Sequence, residues 1–307
     1  MSRGTPGKRQ HRNHAIHGGN YGGPHLRTIT ATAYRRPYLF KAMLETLLAN
    51  DLAGWRIVVQ IDPSPVADDI VQIAHSLLQA HDREVIVNPS RLGVCKNPYR
   101  LLERVFADGS GFNLYVEEDL LLAPDATKLA LWYEAHHRPE WVCLNLIAGG
   151  CASGGLLSNT DHPSLLISGT TLNSLGFAVR QEEWKRFMAP VWMTERQDIV
   201  KYDGLPTGGW DWQIYALLLD DVNLRTVQPA LARATHNGRL AGEFCKPWFH
   251  DRAFDGLPLY DGVAAVREFQ LLPHAELPSS IRRHAALWQE MSAALRALSL
   301  WRRRAQS

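Results

Sequence analysis

The stretch FNLYVEEDLLLAPDA spans residues 112–126 and decides how this chain is interpreted. Its first residues are mostly apolar, as in a strand of a parallel sheet that is covered on both faces. The strand ends in three consecutive acids, Glu117, Glu118 and Asp119, and apolar sequence resumes at once. Three adjacent carboxylates repel one another, and oxygen ligands of this kind suit Mg²⁺ or Mn²⁺. The alternative interpretation is a solvated acidic turn.

Strands and helices alternate on the amino-terminal side of this stretch. Strands are predicted over 26–34, 55–62, 83–88 and from 112 to the acids, and helices over 37–51, 68–82 and 97–109. This alternation predicts an α/β fold with a largely parallel central sheet flanked by helices.

The second half of the chain is less regular. A strand is predicted over 141–148, a short strand running into a helix over 174–188, a helix over 210–221, and a helical tail from about 275. We expect one catalytic domain over 27–265 and a helical extension over 266–307. Residues 1–26 are basic, rich in Gly and His and without apolar periodicity, which predicts a mostly disordered arm.

The composition is that of a soluble globular protein. The 307 residues are 46% hydrophobic and 21% charged, with a formal net charge of +2 that favours no particular charged partner. No apolar leader and no run of 18 apolar residues occur, so we expect a cytoplasmic protein without a membrane span. The four cysteines are Cys95, Cys143, Cys151 and Cys245. We expect them to be free and mostly buried thiols, and the alternative is that they form two disulfides.

Polar groups follow the other predicted strands as well. The second strand ends in Asp62, and the first runs into Arg35 and Arg36. The segment RLGVCKNPYR, residues 91–100, brings more basic and amide groups around a Gly turn. In open α/β sheets ligands bind beyond the carboxyl ends of the strands. Acids and bases at successive strand ends predict a site for a phosphorylated ligand with a metal ion, although any one of them taken alone is an ordinary loop residue.

At VEEDLLLAPD, residues 116–125, the chain resembles glycosyltransferases of the GT-A fold. The form of this acidic motif is similar to that of the N-acetylglucosaminyltransferase I family and related bacterial and viral enzymes, and the resemblance extends over roughly 27–252. It implies a GT-A (Rossmann-like) fold and a metal-dependent, inverting transfer of a hexosyl or N-acetylhexosaminyl group from a nucleotide-diphosphate sugar, with a UDP-sugar expected. The acceptor would be a glycan, a protein, a small molecule or a hydroxymethylated DNA base.

The resemblance also implies roles for single residues. Asp119 would ligate Mn²⁺ or Mg²⁺, Glu117 and Glu118 would lie near the ribose or support the metal, and Asp62 would contact the nucleotide base. The eukaryotic members have Asp where this chain has Glu118, which leaves the donor open. The other expected donor-binding residues are Ala33, Tyr34, Arg35, Lys96, Asn97 and, lining the donor sugar, Gly176.

The segment PTGGWDWQIYALL, residues 206–218, offers a carboxylate for the acceptor hydroxyl. Asp211, between Trp210 and Trp212, is expected to be the general base. The alternative is that it caps the following helix, and the two roles can coexist. If Asp211 is only a cap, Asp203 or Glu195 would be the base. His236 and His250 are candidates for the metal or the phosphate, although a single His is more often structural.

Two other classes remain open from the sequence. A nucleotidyltransferase places acids on a similar sheet, but it usually carries a Gly-rich loop after the first strand, and ATAYRRP, residues 31–37, has no glycine. An inactive nucleic-acid-binding protein would keep the fold without turnover, but the acid triplet together with Asp211 argues against it. The basic arm and the WRRR of the tail favour a polyanionic acceptor of the enzyme, the alternative being that they only provide solubility and disorder.

Overall fold

The computed structural model describes residues 26–150, 155–194, 209–240 and 245–306. Its main feature is a nine-stranded sheet with the strand order β13-β9-β11-β6-β10-β4-β1-β2-β3. The strands of this sheet are β1 (Leu26–Ala33), β2 (Trp55–Ile61), β3 (Arg83–Val87), β4 (Ser110–Glu117), β6 (Trp141–Asn145), β9 (Leu165–Gly169), β10 (Phe177–Arg180), β11 (Arg225–Pro229) and β13 (Gln270–Leu271). Two small two-stranded sheets pair β5 (Leu120–Leu122) with β12 (Ala234–His236) and β7 (Ala148–Gly150) with β8 (Gly155–Leu157).

The helices flank this sheet. They are α1 (Pro37–Leu47), α2 (Ala67–Leu77), α3 (Gly93–Ala107), α4 (Ala126–Ala135), α5 (Gln181–Glu183), α6 (Ala189–Trp192), α7 (Trp210–Asp220), α8 (Pro247–Ala253) and α9 (Ser279–Gln306). A π-helical segment, Trp184–Met188, joins α5 to α6, and a 3₁₀ turn, His274–Glu276, precedes α9. None of the described helices is both long and apolar enough to cross a membrane.

The predicted fold class is confirmed. β3, β2, β1 and β4 are parallel neighbours, whereas β10 runs antiparallel to both β4 and β6. The alternation of strands and helices up to β4 is as predicted. The arm of residues 1–26 lies almost wholly outside the described residues, and the division of the chain into arm, domain and extension remains a prediction.

Two apolar cores lie on the two faces of the sheet. Leu114 and Val116 of β4 pack with α1, α2 and α4, whereas Tyr115 between them packs with α3 and α7 on the other face. This alternation of side chains is the period of two that a strand imposes. Burial on both faces explains why β4 is apolar throughout.

The register of the sheet brings the predicted site residues to one edge. Thr32 of β1 lies opposite Glu117 of β4, and Ala33 lies opposite Ile61 of β2. The residues that follow these three strands are therefore neighbours in space. Among the described cysteines, Cys95, Cys143 and Cys245 are free thiols. Cys151 lies outside the described residues.

Candidate active site

Arg36 holds two of the three acids at the end of β4. Its Nε donates to Glu118 Oε1 at 2.6 Å, and its Nη1 donates to Asp119 Oδ2 at 2.7 Å. The backbone N–H of Tyr34 donates to the other oxygen of Glu118 at 2.9 Å. Glu118 and Asp119 are each only 3% exposed, so each charge needs a partner. Arg36 supplies one positive charge between the two carboxylates.

Asp119 keeps one oxygen without a partner. Its Oδ1 is buried and has no hydrogen bond within the described parts of the chain, while Oδ2 also lies 3.1 Å from His236 Nε2. The N–H of Gly238 donates to Nδ1 of this His over 3.3 Å. Because Nδ1 accepts, the proton of a neutral imidazole sits on Nε2 and points at Asp119. In this tautomer His236 orients the carboxylate.

The residues at Asp119 fit a divalent cation of one particular kind. No group of three or more His, Cys, Asp or Glu side chains suited to a metal occurs within the described parts of the chain. A single buried carboxylate oxygen without a partner matches an ion that takes most of its ligands from phosphate and water, as Mg²⁺ commonly does. Asp119 Oδ1 is therefore the atom that would hold it.

The charges at this edge of the sheet shift one another's titration. Burial would raise the pKa of Asp119, but the hydrogen bond and charge of His236 and the charge of Arg36 lower it overall. Burial and the negative charge of Asp119 raise the pKa of Glu117 well above its usual range, and the charge of Asp211 adds to the effect. Burial, then the charge of Glu117, likewise raises the pKa of the Tyr115 hydroxyl, which donates to Glu117 at 3.3 Å.

Asp62, predicted to contact a base, is already engaged by the protein. Its Oδ1 accepts from Asn88 Nδ2 at 2.8 Å and from the N–H of Leu92 at 3.0 Å, and its Oδ2 accepts from the N–H of Gly93 at 2.7 Å. Asp62 is 2% exposed and lines the cleft. It fixes the start of α3 against the end of β2, and Oδ2 retains room for one further donor.

Next to it, Asn97 has a fixed orientation. Its Oδ1 accepts from Gln60 Nε2 at 2.7 Å and from Asn88 Nδ2 at 2.9 Å. Because the oxygen faces these donors, the amide Nδ2 is turned away from them. Asn97 lines the cleft, and among the described residues its Nδ2 has no hydrogen-bond partner.

Tyr34 and Arg91 form a flat surface in the same part of the cleft. The guanidinium of Arg91 lies 4.5 Å from the centre of the Tyr34 ring, and that of Arg35 lies 5.3 Å from it. The hydroxyl of Ser64 donates to the Tyr34 carbonyl at 2.6 Å and fixes the backbone there. A planar ligand group can stack on such a surface.

Asp211 lies in the first turn of α7, where it lines the cleft. The residue at the N-cap is Gly209, so Asp211 is not itself the cap. A Cβ on Gly209 would lie 2.6 Å from Asp211 Oδ1, so the carboxylate folds back over that glycine. Trp210 is buried and stacked on Trp192 at 4.0 Å, whereas Trp212 is half-buried. The Trp stack fixes the start of α7 and thereby the position of Asp211.

These groups line one cleft of about 690 Å³. Of the predicted residues, it is lined by Ala33, Tyr34, Arg35, Asp62, Asn97, Glu117, Glu118, Asp119, Asp211 and His236. The volume is within the range of pockets for small ligands and cofactors.

Three predicted residues lie outside the cleft wall. Lys96 is exposed on α3 and is not among the lining residues, unlike its neighbour Asn97. His250 lies behind His236, with its Nε2 2.9 Å from the His236 carbonyl, so it supports that segment instead of facing the acids. Gly176, with φ +81°, is needed for packing, because a Cβ there would lie 2.8 Å from a Leu146 methyl. Asp203 and Glu195 lie outside the described residues.

Several residues that line the cleft had no assigned role from the sequence. The sequence identifies Arg36 only as a basic residue that follows the first strand. Its hydrogen bonds to Glu118 and Asp119 depend on the register of β1 against β4. Lys246, Trp248 and Phe249 reach the cleft from the start of α8. Their proximity follows from the pairing of β12 with β5, which no local sequence pattern indicates.

No family model and no curated protein matches this chain. Among solved structures, the mannosyltransferase PcManGT from Pyrobaculum calidifontis, in complex with GDP-Man and Mn²⁺, has a TM-score of 0.48 at 12% identity, over 92% of this chain and 76% of that one. S. aureus TarS 1–349 has a TM-score of 0.49 at 15% identity, over 74% and 68%. Its complex with UDP-GlcNAc has a TM-score of 0.41 at 14% identity, over 70% and 61%. Likeness at this level does not establish a shared activity. The specific resemblance to the N-acetylglucosaminyltransferase I family stays a prediction.

Proposed function

We propose that this chain is a glycosyltransferase that moves a sugar from a nucleotide-diphosphate donor to an acceptor hydroxyl, with a divalent cation at Asp119. The observation that carries the proposal is the buried Oδ1 of Asp119, which has no hydrogen-bond partner among the described residues although it belongs to a residue of the cleft wall. A buried carboxylate oxygen without a donor is costly unless a ligand satisfies it. A bound cation would neutralise the charge that develops on the departing diphosphate.

The donor nucleotide is proposed to bind on the side of Tyr34. Its base would stack on the Tyr34 and Arg91 surface. Asp62 and Asn97 lie side by side there, since both accept from Asn88. Asp62 Oδ2 offers an acceptor and Asn97 Nδ2 offers a donor, a pair that suits the imide N–H and a carbonyl of uracil. This complementarity supports a UDP-sugar as the donor.

The diphosphate is proposed to lie between the basic residues and the acids. Arg35, Arg36 and Lys246 line the same cleft as Asp119. Arg36 pairs with both Glu118 and Asp119, so its single positive charge offsets part of the repulsion between the two carboxylates. A nucleoside diphosphate adds negative charge, and the basic residues compensate it.

Asp211 is proposed to be the general base. Its charge acts on Glu117, which places the two carboxylates in one electrostatic neighbourhood at the cleft. The acceptor oxygen would attack the anomeric carbon as the bond to the diphosphate breaks, and its proton would pass to the Asp211 carboxylate. A single displacement of this kind inverts the anomeric configuration. Exposed Trp248 offers a flat face for an acceptor sugar.

Metal binding tests the proposal without a known acceptor. Mn²⁺ is titrated into the chain in the presence of UDP, and free Mn²⁺ is measured by electron paramagnetic resonance. We expect Asp119→Asn to weaken Mn²⁺ binding by more than about tenfold, because a charged ligand worth about 1.5–3 kcal/mol becomes neutral. The exposed Asp69→Asn is the control and should bind as the wild type does.

Donor hydrolysis then separates an enzyme from a binding protein. UDP- and GDP-sugars are incubated with the chain, with and without Mn²⁺, and release of nucleoside diphosphate is followed. Equal hydrolysis in EDTA would contradict the cation at Asp119, and a chain that binds no nucleotide sugar would contradict the proposed function as a whole.

A further inference from the structure

The long helix α9 uses one of its sides to dock on the domain. Ile281, Ala285 and Trp288 pack into the core beside β7 and β9, and Leu295 packs into the core around α7. The hydroxyl of buried Ser292 lies 3.0 Å from that of Tyr215 on α7. This side carries the apolar packing of the helix on the domain.

A second apolar stripe runs along α9 and is not covered by the described parts of the domain. It consists of Leu287, Met291, Ala294, Leu298 and Trp301, at spacings of four and three residues. With 100° per residue, these positions fall in a sector about 80° wide. Leu287, Leu298 and Trp301 are 56%, 49% and 67% exposed. Single exposed apolar residues are ordinary, but an aligned set on one helix marks an interaction surface.

The charge of α9 indicates what covers this apolar stripe. The helix contains six arginines and one acid, Glu290, and one of these arginines, Arg296, donates to the Leu219 carbonyl of the domain. Arg283 is exposed within the same sector as the stripe, and three more arginines stand at 302–304. A second copy of the helix would bring the same positive charge and be repelled. Nucleic acid would satisfy the arginines but leave the leucines and the Trp in water.

We propose that the apolar stripe of α9 binds the surface of an anionic lipid bilayer, lying in its interface. A helix with leucines and a Trp on one side and arginines beside them has the composition of such an anchor. The apolar side chains enter the acyl boundary while the arginines meet the acidic headgroups. Because Tyr215 lines the cleft and touches Ser292 of α9, this binding holds the cleft near the bilayer surface.

Vesicle sedimentation of the full chain tests this surface. The wild type should partition into vesicles of phosphatidylcholine with phosphatidylglycerol, much less into phosphatidylcholine alone, and less as salt is added. Leu298→Glu should weaken partition by about tenfold or more, because a leucine that would enter the bilayer becomes a charge that the headgroups repel. Leu300→Glu is the matched control, since Leu300 is 45% exposed but lies off the stripe. It should bind within about twofold of the wild type.

Thermal melts of both variants verify that the fold is intact, and donor hydrolysis is recorded separately, so that a failure of the proposed enzyme activity does not affect this test. The proposal is overturned if the wild type does not sediment with anionic vesicles, or if both variants lose binding equally. It is also overturned if light scattering shows a dimer that only Leu298→Glu disrupts, or if the chain binds duplex DNA in preference to the vesicles.

Discussion

Asp62→Ala should destabilise the protein far more than the loss of an ordinary loop residue. The carboxylate is 2% exposed and accepts hydrogen bonds from three N–H groups, those of Asn88, Leu92 and Gly93. Truncation removes this acceptor from the N–H groups of Leu92 and Gly93 at the start of α3, and it leaves Asn88 Nδ2 with only Asn97 Oδ1 as an acceptor. A bond to a charged group is worth about 1.5–3 kcal/mol, and since such losses are not additive we expect a fall of about 3–5 kcal/mol in the free energy of unfolding.

Urea denaturation followed by circular dichroism measures this fall, with Asp69→Ala as an exposed control that should change stability by less than about 1 kcal/mol. UDP binding by calorimetry, at a temperature where the variant is folded, should weaken by about 1–3 kcal/mol if Oδ2 also meets the base. A loss of stability below about 1 kcal/mol would refute the structural role argued for the three hydrogen bonds. Unchanged UDP affinity would remove Asp62 from base recognition and leave its structural role intact.

Three further predictions concern the cleft and one buried acid. Asp211→Asn should reduce single-turnover transfer by about 10² to 10⁴ while the melting temperature changes little, since Gly209 holds the N-cap; wild-type turnover would exclude Asp211 as the base. Gly238→Ala should weaken Mn²⁺ binding measured by paramagnetic resonance, because its Cβ would lie 2.7 Å from the ring of His236 and 3.0 Å from Asp119 Oδ2; unaltered binding would mean that this contact relaxes freely. Burial raises the pKa of Glu183 to about 7, so the stability it contributes is complete below its ordinary pKa and is lost as pH rises through 7. Glu183→Gln should therefore gain roughly 1–3 kcal/mol relative to wild type between pH 5 and pH 8 in urea melts, whereas the exposed Glu182→Gln should gain nothing, and parallel pH profiles would contradict the shift.

The order of elements up to β4 was predictable because local patterns encode it. Each strand there is apolar and each helix is amphipathic. Residues at the boundaries mark the change from the strand pattern to the helix pattern, as Pro37 does at the start of α1. The acid triplet was visible for the same reason, since charge at the end of a buried strand breaks its pattern. α4 and the pairing of β5 with β12 were not predicted. For β5 and β12 the reason is their length, because strands of three residues pair only when a distant partner is present.

The sequence by itself determined that acids and bases collect at the carboxyl ends of parallel strands, because that follows from strand direction and from the position of each residue after its strand. Only the tertiary structure decided which of them meet. The register of β1 against β4 puts Arg36 between Glu118 and Asp119, and Asp119 Oδ1 has no partner among the described residues. Asp62 accepts from the start of α3, and exposed Lys96 on that helix is not among the residues that line the cleft. Side-chain direction and partner choice depend on contacts between residues far apart in sequence, and no local pattern contains that information.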